Sequence, residues 1–240
     1  MIDVPMAAPA SRDRRHPAFF PAMSLLLAAI VFYGFAPTYY LRPADAPAIP
    51  VYLHLHGAAM TAWFSLLIVQ TALIASGRRR LHRRLGIAGV ALGLAIAALS
   101  PAVVVWFVPG LVASGAPMTT AALIVIGDLV ALLVFAILLV LAVRARRQPE
   151  THARLVLLAS IPIVAPALGR ASLAALGTPL PGVAVQMSLP FLVVLHDLFM
   201  LRRVHRATIW GTAAVVGSMM ASIALANSPA GPAVIRFLRG

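Results

Sequence analysis

The stretch from Thr119 to Val143, TTAALIVIGDLVALLVFAILLVLAV, followed at once by Arg144-Ala145-Arg146-Arg147, decides the fold class. Asp128 is its only ionisable residue, and the run is long enough to cross a bilayer as a helix, which takes roughly 20 residues at about 1.5 Å of rise each. Six further runs have the same character: Phe20–Leu41, Val51–Ala75, Leu85–Val108, Ala153–Leu176, Val183–Met200 and Ala207–Ala226. The expected fold is therefore all-α, an integral membrane bundle of about seven transmembrane helices. The first run is too long for the roughly 7–15-residue apolar region of a secretory signal and reads as a retained helix.

Composition leads to the same class. Of 240 residues, 62% are hydrophobic and 10% charged, with a mean hydropathy of +0.97. Soluble domains carry about a quarter charged residues, so lipid must be the solvent for much of this surface. Cysteine is absent, which excludes disulfides, iron–sulfur clusters and cysteine-ligated zinc. Lysine is absent too, which excludes a retinal Schiff base.

The formal charge is +13 and all 19 basic residues are arginines. They gather between hydrophobic runs, which speaks for membrane topology and against a nucleic-acid partner. Arg12, Arg14, Arg15, Arg78, Arg79, Arg80, Arg83, Arg84, Arg144, Arg146, Arg147, Arg154, Arg202, Arg203 and Arg206 fall on one side. Arg42, Arg170, Arg236 and Arg239 fall on the other. The positive-inside rule then places the N-terminus in the cytoplasm and the C-terminus outside. Residues 1–18 read as a basic cytoplasmic tail, 19–228 as the membrane domain and 229–240 as an outer interfacial tail. The breaks fall at the arginine run Gly77–Arg84, the Gly/Pro loop Pro109–Pro117, and the stretches Arg144–Glu150, Gly177–Gly182 and Leu201–Arg206. The sixth run is short and carries Pro190, and Pro162 with Pro166 predicts a kink in the fifth.

Ionisable groups at membrane depth are functional candidates. Asp128 stands about nine residues into the fourth run, roughly 14 Å deep, and Arg170 about six residues before the end of the fifth. They are expected to pair across the bundle, as a structural tie or as a proton-relay or substrate-orienting pair. His54 and His56 open the second run, with His56 roughly 8 Å below the surface. Two residues apart on a helix, they point in opposed directions, whereas His56 and Met60 share a face and suit haem or copper. Gln186, Tyr39 and Tyr40 are expected to line an outer pocket with them. At the inner side His152 and His196 lie at similar depth on neighbouring runs and are expected to face each other as haem or metal ligands. Arg79, Arg80, His82, Arg83, Arg84, Arg202, Arg203 and His205 form repeated basic-pair-then-histidine motifs at helix starts, suited to lipid headgroups.

The motif set His54-Leu55-His56-Gly57, Thr61-Ala62-Trp63-Phe64, Gln70, Leu81-His82-Arg83-Arg84-Leu85-Gly86, His152-Ala153-Arg154-Leu155, His196-Asp197 and Thr208-Ile209-Trp210-Gly211 resembles a group of uncharacterised bacterial multi-spanning membrane proteins. A looser likeness runs to transmembrane b-type cytochromes, which hold haem between histidines of facing helices. Where di-haem members carry a second histidine on one helix, this chain has Gln70. Seven-helix zinc hydrolases of lipid amides are also similar, although the paired histidines of their last helix are absent here. The resemblance implies a bacterial inner-membrane protein. The expected function is haem-based electron transfer, with haem b as cofactor and a quinone or a membrane protein as partner. A zinc- or copper-dependent intramembrane hydrolase or lipid-modifying enzyme and a small proton-coupled transporter or sensor are the alternatives.

Overall fold

The computed structural model describes residues 18–239 and is helical throughout, with no strand among the described residues. Its elements are α1 (Phe19–Phe35), α2 (Val51–Ala75), α3 (Arg79–Ala113), α4 (Met118–Arg144), α5 (Pro149–Ser160), α6 (Ala165–Leu176), α7 (Leu180–Leu201), α8 (Arg206–Ala226) and α9 (Ala230–Arg239). A π-helical turn, Ala36–Tyr40, prolongs α1, and a 3-10 turn, Pro162–Val164, joins α5 to α6. Counting α5 and α6 as one broken span, seven helices are long and apolar enough to cross a membrane. The chain is a multi-spanning membrane protein. The arginines before residue 18 lie outside the described residues.

Several boundaries differ from those expected. α3 starts at Arg79 and continues to Ala113, so most of the arginine run and half of the Gly/Pro loop are helical. A proline in mid-helix removes one main-chain donor, yet Pro101 and Pro109 both sit inside α3, as membrane helices tolerate. The turn that remains is closed by Gly77, whose φ of 75° suits a residue without Cβ. The short sixth run becomes a full helix, α7, with Pro190 inside it. The tail beyond residue 229 forms α9, which buries Ile235 against Val108, Val125 and Ile126 and leaves Phe237 exposed.

Short connections between mutually packed neighbours place the linkers 76–78, 145–148 and 202–205 at one end of the bundle, here the basic end. The core runs through its middle. Trp63 and Phe135 meet edge to face with ring centres 5.1 Å apart, and the Trp63 indole N–H donates to Ser160 Oγ at 3.2 Å. Close approach depends on small residues. A Cβ on Gly34 would collide with the Ala167 main chain, which brings α1 hard against α6. One on Gly211 would stand 2.5 Å from Leu158 Cδ1, which fixes α8 on α5.

The fifth span breaks for a local reason. Pro162 and Pro166 have no N–H, so the carbonyls of Leu158 and Pro162 lose their i+4 donors. The Pro162 carbonyl is satisfied twice over, by the Ala165 N–H that closes the 3-10 turn and by Gln186 Nε2 at 3.1 Å. Gln186, expected among the residues of an outer pocket, is buried in the bundle interior and caps the break.

Candidate functional site

Three polar clusters are built by these elements. The first is at the basic end. Asp197 of α7 is fully buried and accepts Arg154 Nε at 3.0 and 3.2 Å on its two oxygens and Arg154 Nη2 at 2.6 Å. It also accepts the His205 main-chain N–H at 3.1 Å and the Thr208 hydroxyl at 2.5 Å. Arg154 Nη1 donates to the Glu150 carbonyl at 3.0 Å. Both partners of this ion pair are satisfied, as burial in a low-dielectric region demands. It clasps α5, α7 and the start of α8 together. From the sequence alone Arg154 is a topology charge at the start of the fifth run, and Asp197 is a neighbour of His196. The signal in the sequence is a pair of opposite charges at the same end of adjacent apolar runs, Arg154 at the start of the fifth and Asp197 about one turn before the end of the sixth.

Beside the clasp, the histidines sort differently from the expectation. The His196 ring stacks on Phe19 with centres 4.0 Å apart, and its Nδ1 lies 3.5 Å from Asp197 Oδ1. The ring that meets His152 is His82, with centres 6.2 Å apart and planes at 83°. His152 has turned toward α3 because its Nδ1 is hydrogen-bonded to the Ala142 carbonyl at 2.9 Å. In the neutral ring that bond makes Nδ1 the donor and leaves a lone pair on Nε2. His82 lies against the Gln70 main chain, and His82 Nδ1 and Gln70 Oε1 are both buried with no hydrogen-bond partner among the described residues. The surrounding Arg79, Arg80, Arg83, Arg84, Arg202 and Arg203 are exposed, while His205 is half-buried and caps α8 by accepting the Ala207 N–H at 3.1 Å on Nδ1.

The second cluster is at membrane depth. Asp128 of α4 and Arg170 of α6 are close enough to act on each other electrostatically but form no ion pair within 4 Å. The Arg170 guanidinium carbon is instead 5.1 Å from the ring centres of both Phe35 and Phe107, within cation–π range. Arg170 Nε is buried with no hydrogen-bond partner among the described residues. Close by, Gly127, Pro162, Gln186, Ser218 and Ser222 surround a cavity of about 10 Å³, room for a single water.

The third cluster, at the opposite end, is aromatic. The π-turn sets Tyr39 on Gly57, where an added Cβ would be 2.6 Å from Tyr39 Cζ. Tyr39 donates to the His54 carbonyl at 3.4 Å, and Tyr40 shares a 2.7 Å hydrogen bond with Thr61. His54 is exposed with its ring 5.9 Å from Tyr39, whereas His56 turns to Ser100 of α3, Nδ1 to Oγ 3.4 Å. The opposed directions expected of His54 and His56 are thus observed. Among the described residues no three histidine or acidic side chains converge as a metal site would require, and His54, His56 and Asp128 stay apart.

No protein-family model, curated protein or solved structure matches the chain.

Proposed function

We propose that this chain is a haem-binding electron-transfer protein of the bacterial cytoplasmic membrane, with its basic end facing the cytoplasm and His82 and His152 as the residues that would hold the haem. The observation that carries the reading is the spacing of these two rings. An iron held between two imidazoles needs roughly 6 Å between ring centres, from about 2 Å per metal–nitrogen bond and about 1 Å from each nitrogen to its ring centre. The rings stand 6.2 Å apart. The Ala142 carbonyl fixes the His152 tautomer in the way that partners of metal-bound histidines do. Haem brings its own nitrogen donors, so two histidines would suffice to hold it where no three-residue metal site occurs among the described residues. The carboxylates of haem b would find exposed arginines beside His82, notably Arg79 and Arg83. Bound haem supplies one-electron exchange. The chain's own contribution is the two ligands, the neutralising arginines, and an apolar bundle that delivers the site to a membrane quinone or a membrane protein.

The test is the visible spectrum of the detergent-purified protein, expressed with haem supplied, before and after dithionite. A Soret band that shifts on reduction is expected. It should vanish in His82→Ala and in His152→Ala and persist in His54→Ala, His56→Ala and His196→Ala. A featureless spectrum, or a band that survives both ligand replacements, overturns the assignment.

A further inference from the structure

The pair at membrane depth has no part in that reading and calls for its own account. A guanidinium left at this depth normally takes a carboxylate directly, because isolated charge in hydrocarbon is unfavourable. Here Asp128 and Arg170 are held near each other without touching, and Arg170 is fixed by aromatic rings on two sides with Nε lacking a partner. Rings against a guanidinium leave its edge N–H groups as the free donors, and those donors match the geometry of a planar carboxylate. The site also sits by the broken fifth span, whose second half, α6, begins at Ala165 at membrane depth and carries Arg170. Substrate sites of carriers are built at such interrupted helices.

We propose that Arg170 and Asp128 form a binding centre for a small organic carboxylate, which enters together with one proton. Charge balance sets the coupling. In the empty centre an ionised Asp128 would balance the charge of Arg170. A carboxylate bound to Arg170 adds one negative charge, and protonation of Asp128 restores neutrality. The proton comes from water, and no covalent bond changes in the ligand. Among the described residues, the further charges on the elements packed on α4 stand at the basic end or are exposed. α3 beyond Arg84 and α8 beyond Arg206 contain no ionisable side chain, those of α5 lie at its basic end, and α9 brings only Arg236 and Arg239 in its last turn.

The test uses the full chain in detergent and in proteoliposomes, with the monocarboxylates pyruvate, lactate and benzoate as probes. In the wild type, at least one probe should raise the unfolding temperature saturably, more strongly at acidic than at alkaline pH. Radiolabelled pyruvate or lactate should enter vesicles with acidification reported by trapped pyranine. Asp128→Asn, close in shape and permanently neutral, should retain binding but lose its pH dependence and the accompanying proton. Arg170→Gln should weaken binding by ~10-fold or more, the value of a charge-assisted hydrogen bond. Unchanged helicity in each variant separates loss of the site from loss of the fold. A wild type that responds to none of the three probes at any pH, or an Asp128→Asn protein with wild-type pH dependence, overturns the proposal.

Discussion

Replacing Arg154 with methionine should destabilise the protein by about 3–5 kcal/mol, the cost of leaving one member of a buried ion pair uncompensated. The structure puts the case toward the full value. The Arg154 and Asp197 side chains are 4% and 0% exposed, so water cannot take over the lost contacts. Three of the five hydrogen bonds reaching the Asp197 carboxylate come from Arg154, and the substitution leaves only those from the His205 main chain and Thr208. Thr208→Val removes a single charge-assisted bond and should cost about 1.5–3 kcal/mol. Arg154→Met combined with Asp197→Leu removes both charges and fills the space with apolar atoms. It should recover part of the stability lost in the single variant, because an apolar pair of similar volume is often as stable as the ion pair it replaces, while the His205 N–H and the Thr208 hydroxyl lose their acceptor. Unfolding in mixed micelles, titrated with sodium dodecyl sulfate and followed by circular dichroism, supplies the free energies. A loss under about 1 kcal/mol in Arg154→Met, or a double variant whose loss equals the sum of the singles, would refute the clasp.

Other expectations follow from single contacts. Gly34→Ala should cost at least about 2 kcal/mol in the same titration, since the added methyl group meets the Ala167 main chain and no rotamer avoids it. Gln186→Leu leaves the Pro162 carbonyl with the Ala165 N–H as its one partner and should cost about 0.5–1.5 kcal/mol without loss of helicity. Ile235→Asp should undock α9, seen as new protease cleavage near Ser228, because Ile235 is 0% exposed in the small cluster that holds that helix. The cysteine-free chain suits topology mapping directly: Arg147→Cys should react with impermeant maleimide only from the cytoplasmic side, and Asp45→Cys only from the opposite side.

The spans were legible because hydrophobic length is a strong signal: each of the seven apolar runs corresponds to a helix or a broken helix. The ends were less so. Arginines and glycines read as linkers at 77–84 and 109–117, but α3 absorbs most of the first and about half of the second, since a helix extending into the interfacial region satisfies its own main chain and lets arginines reach water. The kink at Pro162 and Pro166 follows from missing donors and is present as the 3-10 turn. The π-turn at Ala36–Tyr40 had no such signature. Among site residues, the nearness of Asp128 and Arg170 was visible from depth alone, but their separation was not, because the rings that hold Arg170 come from α1 and α3. Depth matched His152 with His196, yet rotation about the helix axis decided otherwise, and the Ala142 carbonyl turned His152 to His82.

The interruption of the fifth span has a neighbour that gives it mechanical meaning. Pro190 interrupts α7, and the carbonyl it releases belongs to Gln186, the residue whose side chain caps the break at Pro162. Two adjacent spans are therefore weakened at the same storey of the bundle and coupled there by one amide. Above this level α7 presses on α6, where a Cβ at Gly182 would lie 2.6 Å from the Leu168 carbonyl; below it, the carboxylate of α7 grips α5. The two spans form a jointed strut: stiff at both ends, with a shared joint in the middle whose bending ruptures no helical hydrogen bond that proline has not already removed.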